Sequence, residues 1–193
     1  MTPFNIDEAQ ERLARLVRQR LDGPHPRAAV LVPFLLVDGQ PSVLLTVRSD
    51  SVGTHKGHVS FPGGKMEPSD DGLAQTALRE FEEELGVDRS RVRLLGAHHD
   101  VQAISDVLVT PYVGFLGELS PSEIDADKNE VAEVFTIAID DLLDEKKRHK
   151  RSLAHKGQSH RIMVFDAGPA PVWGLTAHIL HKVLEDAFGF VLR

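Results

Sequence analysis

The sequence contains no cysteine, one tryptophan and one tyrosine among its 193 residues. The lack of cysteine excludes disulfides, thiolate chemistry and zinc sites with cysteine ligands. No apolar run approaches the roughly 18 residues that a membrane-spanning helix requires, so we expect no membrane contact. Positive charge is also in short supply, because the net charge is -7. A general affinity for nucleic acid is therefore not expected, and an enzyme of this composition that acts on anions must gather cations locally.

What is present fits an ordinary globular protein. Hydrophobic residues make up 41% and charged residues 26% of the chain, and this length suits one domain, taken here as residues 1–193. The N-terminal residues form neither a basic nor an apolar targeting segment. By elimination, we expect a cytoplasmic protein, and a homodimer is compatible with the sequence.

The apolar pattern alternates between helical and extended stretches. A helical period predicts a helix from residue 6 to about residue 22. Two apolar runs separated by Asp38-Gly39 predict a β-hairpin. A second helix is predicted to end at Gly86. The further predictions are strands at 28–37, 42–47, 92–97, 108–116, 131–139 and 162–165, helices at 72–85 and 173–188, and a polar, basic loop at 145–157. Together they indicate a mixed α/β fold.

The helix at 72–85 carries the most informative residues. At about 100° per residue, Ala74, Ala77, Leu78, Phe81 and Leu85 form one apolar stripe that can pack on a sheet. Glu80 and Glu84 lie about 40° apart beside this stripe, and Glu83 lies next to Glu80. Three carboxylates therefore share one patch near the edge of the buried surface. An acidic helix face is usually only solvated, but its neighbours here favour a site.

Those neighbours are Gly63-Gly64, just before the helix, and Arg79 within it. Glycines allow the backbone to approach a metal ion or a phosphate closely. The guanidinium of Arg79 can clamp a carboxylate and fix its rotamer. Like charges on one helix face are unfavourable without a cation, and Mg²⁺ binds through carboxylates together with substrate phosphates. The patch therefore predicts a divalent-metal site.

The run from Arg79 to Val87, R-E-F-E-E-E-L-G-V, resembles the second half of the Nudix box, G-x5-E-x7-R-E-U-x-E-E-x-G-U with U a bulky apolar residue. All fixed positions of that half match. The first half, which begins at about residue 64, carries a one-residue insertion, and either Asp70 or Asp71 stands for its first glutamate. The resemblance implies the Nudix fold, an α/β/α sandwich around a mixed sheet.

The preceding segment resembles the signature of coenzyme A diphosphatases within that family, L-L-T-x-R-[SA]-x3-R-x3-G-x3-F-P-G-G. It matches from Leu44 through Arg48 and Gly57 to Phe61-Pro62-Gly63-Gly64. Gly53 departs from the pattern, because the signature has a second arginine there, and His55 or Lys56 would have to replace it. This resemblance extends over about residues 28–185.

The resemblance implies metal-dependent hydrolysis of coenzyme A at its diphosphate, with Mg²⁺ or Mn²⁺ as cofactor. The implied metal ligands are Glu80, Glu83 and Glu84. Arg79 would orient them, and the general base is open between Glu83, Glu130 and Glu133. The implied substrate-binding residues are Arg48, Lys56, Gly63 and Gly64.

Two other readings stay open. One keeps the Nudix chemistry and changes the substrate to ADP-ribose, an oxidised nucleoside triphosphate or a dinucleoside polyphosphate. The absence of proline between Val87 and Pro111 argues modestly against ADP-ribose. The other reading is a non-catalytic binding module, which the retained glutamates disfavour. The basic run at 146–151 is interpreted as a solvated loop, and His98, His99, His178 and His181 as structural or surface histidines.

Overall fold

Strands and helices alternate along the chain, and a computed structural model describes residues 4–49, 57–155 and 158–192. Within these ranges the helices are α1 (Ile6–Arg15), α2 (Leu73–Leu85), α3 (Ile139–Leu143) and α4 (Gly174–Asp186). The strands are β1 (Arg27–Val37), β2 (Gln40–Arg48), β3 (Val59–Ser60), β4 (Gly63–Lys65), β5 (Arg93–Ala97), β6 (Val101–Gln102), β7 (Leu108–Glu118), β8 (Val131–Ala138), β9 (Arg148–His155) and β10 (Gln158–Phe165). None of these helices is long and apolar enough to cross a membrane.

An eight-stranded mixed sheet has the path β3-β2-β1-β7-β5, with β8 also on β2, β4 on β1 and β6 on β7. The apolar run of β1 lies at its centre, parallel to β7 and antiparallel to β2. Asp38 and Gly39 join β1 to β2 in the left-handed region, with φ of 49° and 76°. Those values are typical of a two-residue hairpin turn, so the predicted hairpin is confirmed.

Helices cover both faces of this sheet. Ala77, Phe81 and Leu85 of α2 pack with Leu31 and Leu44 on one face. On the other face, α1 and α4 pack against residues that include Phe34, Val43 and Leu45. Burying each large apolar side chain contributes about 1.5–3 kcal/mol. The predicted α/β/α sandwich with a mixed central sheet is thus confirmed.

The first helix is shorter than predicted, because it ends at Arg15 rather than near residue 22. The next segment leaves the helix to bond with a distant loop. Arg18 donates from Nε to the carbonyl of His98 at 2.8 Å, and the amide of Leu21 donates to Asp100 at 3.0 Å. The periodicity of the sequence cannot predict these hydrogen bonds, because the partners lie about 80 residues away.

The predicted basic loop at 145–157 is also wrong. Its residues Arg148–His155 form β9, which pairs antiparallel with β10 in a separate two-stranded sheet. Arg148 is buried and donates to the carbonyls of Leu142 and Leu143. Lys147 and His149 have ion-pair partners in Asp141 and Asp166, at 2.6 and 3.0 Å. Tertiary contacts of the charged side chains thus order a segment whose composition indicated a solvated loop.

Candidate active site

Helix α2 carries the site residues along the border of its buried stripe. The helix begins after Gly72 and ends at Gly86, which adopts the left-handed conformation with φ of 65°. A Cβ at Gly86 would meet the carbonyl oxygen of Asp125 at 2.5 Å, so glycine is required there. With Phe81 and Leu85 fully buried, the helix is held in one rotation. This rotation turns Glu84 inward and leaves Glu83 outside.

Glu84 is a buried carboxyl group, with only 4% of the residue exposed. Burial raises its pKa to about 8, and the nearby charges of Glu80 and Glu130 act in the same direction. Arg48 and the backbone of Gly63 oppose this rise. The pKa of Glu80 is also raised, first by burial, although Arg79 counteracts it. The protein therefore does not fully compensate the negative charges that Glu80 and Glu84 carry when they are ionised.

The backbone of Gly63 and Gly64 lies directly against this pair. A Cβ at Gly64 would lie 2.3 Å from a carboxylate oxygen of Glu80, and one at Gly63 would lie 2.4 Å from the carbonyl oxygen of Ala29. Gly63 also has φ of +157°. Backbone atoms therefore exclude a side chain at Gly63, and a side chain at Gly64 would displace the carboxylate of Glu80. The backbone at Gly64 thus lies close to Glu80, an approach that a residue without a side chain allows.

Arg79 uses all five of its N–H donors. Nη1 donates to Glu80 at 3.0 Å and to Glu83 at 2.8 Å. Nε and Nη2 donate to the two oxygens of Asp70 at 3.0 and 3.1 Å, and Nη2 also donates to the carbonyl of Lys65 at 3.2 Å. The surrounding carboxylates raise the pKa of Arg79 above its already high value, and the bond to Asp70 contributes most. The arginine thus fixes two glutamates of the patch from one side.

Asp70, rather than Asp71, is the acidic partner of this arginine. The side chain of Asp70 is 1% exposed, whereas Asp71 is exposed. Asp70 also accepts from the amide of Glu67 and the hydroxyl of Thr76, both at 2.9 Å. These bonds, with Arg79 first, hold the pKa of Asp70 well below its usual range. Of the two aspartates, Asp70 is therefore the one that contacts Arg79.

Glu83 differs from the other two glutamates, because its side chain is 59% exposed. Among the described residues, three side chains of metal-ligand type have their ligand atoms within 4.8 Å of one another, and these are His98, His99 and Asp186. The three glutamates do not meet this criterion. Like charges repel when no cation lies between them, and Arg79 draws Glu80 and Glu83 towards itself. The three glutamates therefore lie in one patch, but their carboxylate oxygens do not converge on a single point.

The histidine cluster has a structural explanation. Nε2 of His98 lies 3.0 Å from Asp186. The backbone amide of Gln19 donates to Nδ1 of His99 at 2.9 Å. An imidazole that accepts at Nδ1 carries its proton on Nε2, so Nε2 of His99 has no lone pair for a metal. This cluster ties the segment after α1 and the end of α4 to the loop after β5, as the structural interpretation of His98 and His99 predicted.

Among the proposed general bases outside helix α2, Glu130 is the one whose charge acts on the patch, since it raises the pKa of both Glu80 and Glu84. The loop before β8 is held beside α2 by a hydrogen bond that the backbone amide of Asp127 donates to the carbonyl of Glu84 at 3.0 Å. Glu133 instead pairs with Val47 in the sheet. Val47 packs with the core on the face opposite α2, and paired strand residues share a face. The structure therefore does not bring Glu133 to the patch.

Arg48 ends β2 on the side of the patch, and its charge lowers the pKa of Glu84. Its amide donates to the carbonyl of His58 at 3.0 Å. Lys56 and Gly53, the other positions singled out in this segment, lie outside the described residues.

These residues fit a divalent cation. The donors are oxygens, which hard cations prefer. Glu84 is a buried and Glu80 a partly buried carboxyl group, and both have raised pKa values, so added positive charge would relieve the unfavourable desolvation of their anions. The absence of any side chain at Gly64 leaves the backbone free to lie beside Glu80.

The comparisons agree with this geometry. The family description "NUDIX domain" matches residues 25–156. The chain is 37% identical over 183 residues to mitochondrial coenzyme A diphosphatase NUDT8 of Mus musculus, covering 92% of this chain and 87% of that protein. It is 35% identical over 170 residues to the uncharacterized Nudix hydrolase NudL of Photorhabdus laumondii, covering 87% and 88%. The crystal structure of the MutT Nudix hydrolase from Burkholderia pseudomallei is similar in fold, with a TM-score of 0.50, 19% identity, and coverage of 88% of this chain and 98% of that one.

Proposed function

This chain belongs to the Nudix family, and on that premise we propose that it hydrolyses the diphosphate bond of coenzyme A or its derivatives. The products would be 4′-phosphopantetheine and adenosine 3′,5′-bisphosphate. The observation that carries the proposal is the 37% identity, over 92% of this chain, to a protein named as a coenzyme A diphosphatase. The retained Glu80, Glu83 and Glu84, with Glu84 buried, favour a catalyst over a binding module.

Nudix enzymes in general use divalent metal ions, and we propose Mg²⁺ or Mn²⁺ here. Glu80 and Glu84 would hold the ion, and Glu83 would share it. A bound divalent cation would neutralise phosphate oxygens and lower the pKa of a bound water. The protein must supply both glutamates as anions, although burial holds the pKa of Glu84 at about 8. Metal binding is therefore expected to release the proton of Glu84.

Arg79 keeps the carboxylates in place without itself exchanging a proton, because an arginine remains charged. It fixes Glu80 and Glu83 at 3.0 and 2.8 Å. Glu130 is our candidate for the general base that takes a proton from the attacking water, because its charge acts on Glu80 and Glu84 and its side chain is exposed. Glu83 is the second candidate, and Glu133 is the least favoured.

The substrate's diphosphate would lie between these carboxylates and the residues before α2. Arg48 supplies positive charge near Glu84. The backbone of Gly63 and Gly64 can approach the diphosphate without steric hindrance. Lys56 is proposed as a further cation on the basis of its place in the signature.

Product analysis tests the proposal. The protein is incubated with coenzyme A, ADP-ribose and nucleoside triphosphates in the presence of Mg²⁺ or Mn²⁺, and the products are separated by chromatography. We expect 4′-phosphopantetheine and adenosine 3′,5′-bisphosphate from coenzyme A at the highest kcat/KM. A faster reaction with ADP-ribose would transfer the assignment to that substrate. The departure from the coenzyme A diphosphatase signature at Gly53, where the signature has an arginine, would then agree with the change of substrate.

A further inference from the structure

A cavity of about 360 Å³ lies between β10 and α4, apart from the metal patch. Its volume falls within the range of small-ligand sites, roughly 300–1,000 Å³. Its lining is basic, with Lys150 and Arg161 from the β9–β10 hairpin and His178, His181 and Lys182 from α4. Ile162 and Met163 supply an apolar wall. Neither the metal patch nor the proposed mechanism uses any of these side chains.

Two regular elements bring the cations together. Lys150 pairs with Met163 across the hairpin, and Arg161 lies two residues from Met163, so both cations lie on one face. On α4, His178, His181 and Lys182 have i, i+3 and i+4 spacing, which places them on one side of the helix. The hairpin face and the helix side meet at the cavity. The convergence is therefore fixed by strand register and helical period.

The cavity has more positive charge than its own carboxylate can balance. Glu185 pairs with Lys182 at 2.9 Å and with His181 at 3.2 Å. Lys150 and Arg161 have no ion-pair partner among the described residues. Desolvation, and then the charges of Lys182 and His181, lower the pKa of His178. The neighbouring Lys147 and His149, by contrast, do have carboxylate partners.

We propose that this cavity binds a phosphate monoester, and that the monoester is the ribose 3′-phosphate of the substrate. Lys150 and Arg161 would donate charge-assisted hydrogen bonds to its oxygens, and Ile162 and Met163 would contact the attached sugar. This inference rests on the proposed function, because coenzyme A is the candidate substrate that carries such a group. Arg48 is less suited to that group, because its charge acts on Glu84 in the metal patch.

The cavity is linked to the proposed active site through the start of α4. Gly174 lines the cavity, and the hydroxyl of Thr176 donates to the carbonyl of Val59 at 2.9 Å. The ring of Trp173 lies 5.0 Å from that of His58, whose carbonyl accepts the amide of Arg48. One short path of contacts thus leads from the basic cavity to the strand end beside Glu84. On our proposal, the substrate places its diphosphate at the patch and its 3′-phosphate in the cavity.

The test compares coenzyme A with dephospho-coenzyme A, which lacks only the 3′-phosphate. Lys150→Gln and Arg161→Gln each remove one cavity cation, and Lys146→Gln is the matched control, since it removes an exposed cation from the same basic run. We expect the wild type to prefer coenzyme A by about tenfold or more in kcat/KM, the scale of one charge-assisted hydrogen bond. Each cavity variant should lose most of this preference by slowing on coenzyme A alone, and Lys146→Gln should keep it.

Equal kcat/KM for both substrates in the wild type would overturn the inference and leave the proposed function standing. A preference for coenzyme A that survives in both cavity variants would also overturn the inference. If the variants changed only the inhibition by inorganic phosphate, the inference would fail as well, and the cavity would be assigned to free phosphate. If neither substrate is cleaved, the proposed function fails and binding decides the inference. Calorimetry on metal-free protein should then show tighter binding of adenosine 3′,5′-bisphosphate than of adenosine 5′-monophosphate, with the difference lost in Arg161→Gln. Equal binding would overturn it.

Discussion

The guanidinium of Arg79 grips the carboxylate of Asp70 through two parallel hydrogen bonds of 3.0 and 3.1 Å. The two residues are nine positions apart, and Asp70 lies before the helix that carries Arg79. The pair closes the turn that leads from Gly63-Gly64 into α2. Because the other donors of Arg79 hold Glu80 and Glu83, the contact with Asp70 helps to set the orientation of these two carboxylates.

Arg79→Lys should lower kcat more than it raises KM. A lysine ammonium has three donors and cannot reproduce the planar fork that serves Asp70, Glu80 and Glu83 together. We expect a loss of at least about tenfold in kcat, measured in steady state with coenzyme A. Arg89→Lys is the control, because Arg89 pairs with Glu82 on the outer side of the helix. A wild-type kcat in Arg79→Lys would show that the fork is not needed.

Asp70→Asn and Asp71→Asn should behave differently, although they differ by one position. Asp70→Asn removes the charge that faces Arg79 and should lower both kcat and the unfolding midpoint, whereas Asp71→Asn should change neither. Because the pKa of Asp70 is held below its usual range, its carboxylate stabilises the fold above about pH 4 and that contribution is lost on further acidification. The stability difference between wild type and Asp70→Asn should therefore shrink in acid. Equal effects of the two substitutions on kcat and on the unfolding midpoint would contradict a special role for Asp70.

Glu84→Gln should stabilise the metal-free protein at alkaline pH. Since burial raises the pKa of Glu84 to about 8, the folded state binds this proton more tightly than the unfolded chain does. Stability is then lost progressively as the pH rises from about 4.5 towards 8. Glutamine removes that loss, and each 1 kcal/mol gained corresponds to roughly 2–4 °C in Tm for a protein of this size. Scanning calorimetry in chelator near pH 9 measures it, and a Tm below that of the wild type would contradict the raised pKa.

Glu130→Gln and Glu133→Gln test the choice of general base. Glu130→Gln should reduce kcat by about 10²–10⁴-fold, the usual contribution of such a group, and should flatten the acidic limb of the pH–kcat profile. Glu133→Gln should retain the wild-type profile, because its strand position faces away from α2. Full activity in Glu130→Gln together with inactive Glu83→Gln would move the role to Glu83.

The sequence was sufficient to predict the elements that depend on local pattern. The hairpin at Asp38-Gly39 and the helix ending at Gly86 follow from turn chemistry and apolar period, and both are present. The helical period also predicted that Glu80 and Glu84 would lie together beside the buried stripe. It could not show how deeply Glu84 is buried, because that depends on the strands and on the loop that brings Glu130.

What the sequence could not supply are contacts between distant segments. The segment after Arg15 leaves the helical path for His98 and Asp100, and no local signal announces those partners. The basic run after Glu145 continues as a strand that pairs with β10, and the buried Arg148 donates from Nη1 to the backbone carbonyls of Leu142 and Leu143. Asp70 could have been preferred to Asp71 on one signal, since a threonine six residues later can donate to it from the first turns of α2.

Metal-dependent turnover of coenzyme A in wild type, Glu84→Gln and Glu82→Gln tests the central claim most directly. Glu82 lies on the same helix and pairs with Arg89 on its outer side, so its substitution is the matched control. We predict that Mg²⁺ or Mn²⁺ restores hydrolysis in chelator-treated wild type and Glu82→Gln, and that Glu84→Gln stays at least about 100-fold slower at saturating metal. Hydrolysis at the wild-type rate in Glu84→Gln, or in wild type with excess chelator, would contradict a metal centre built on Glu84.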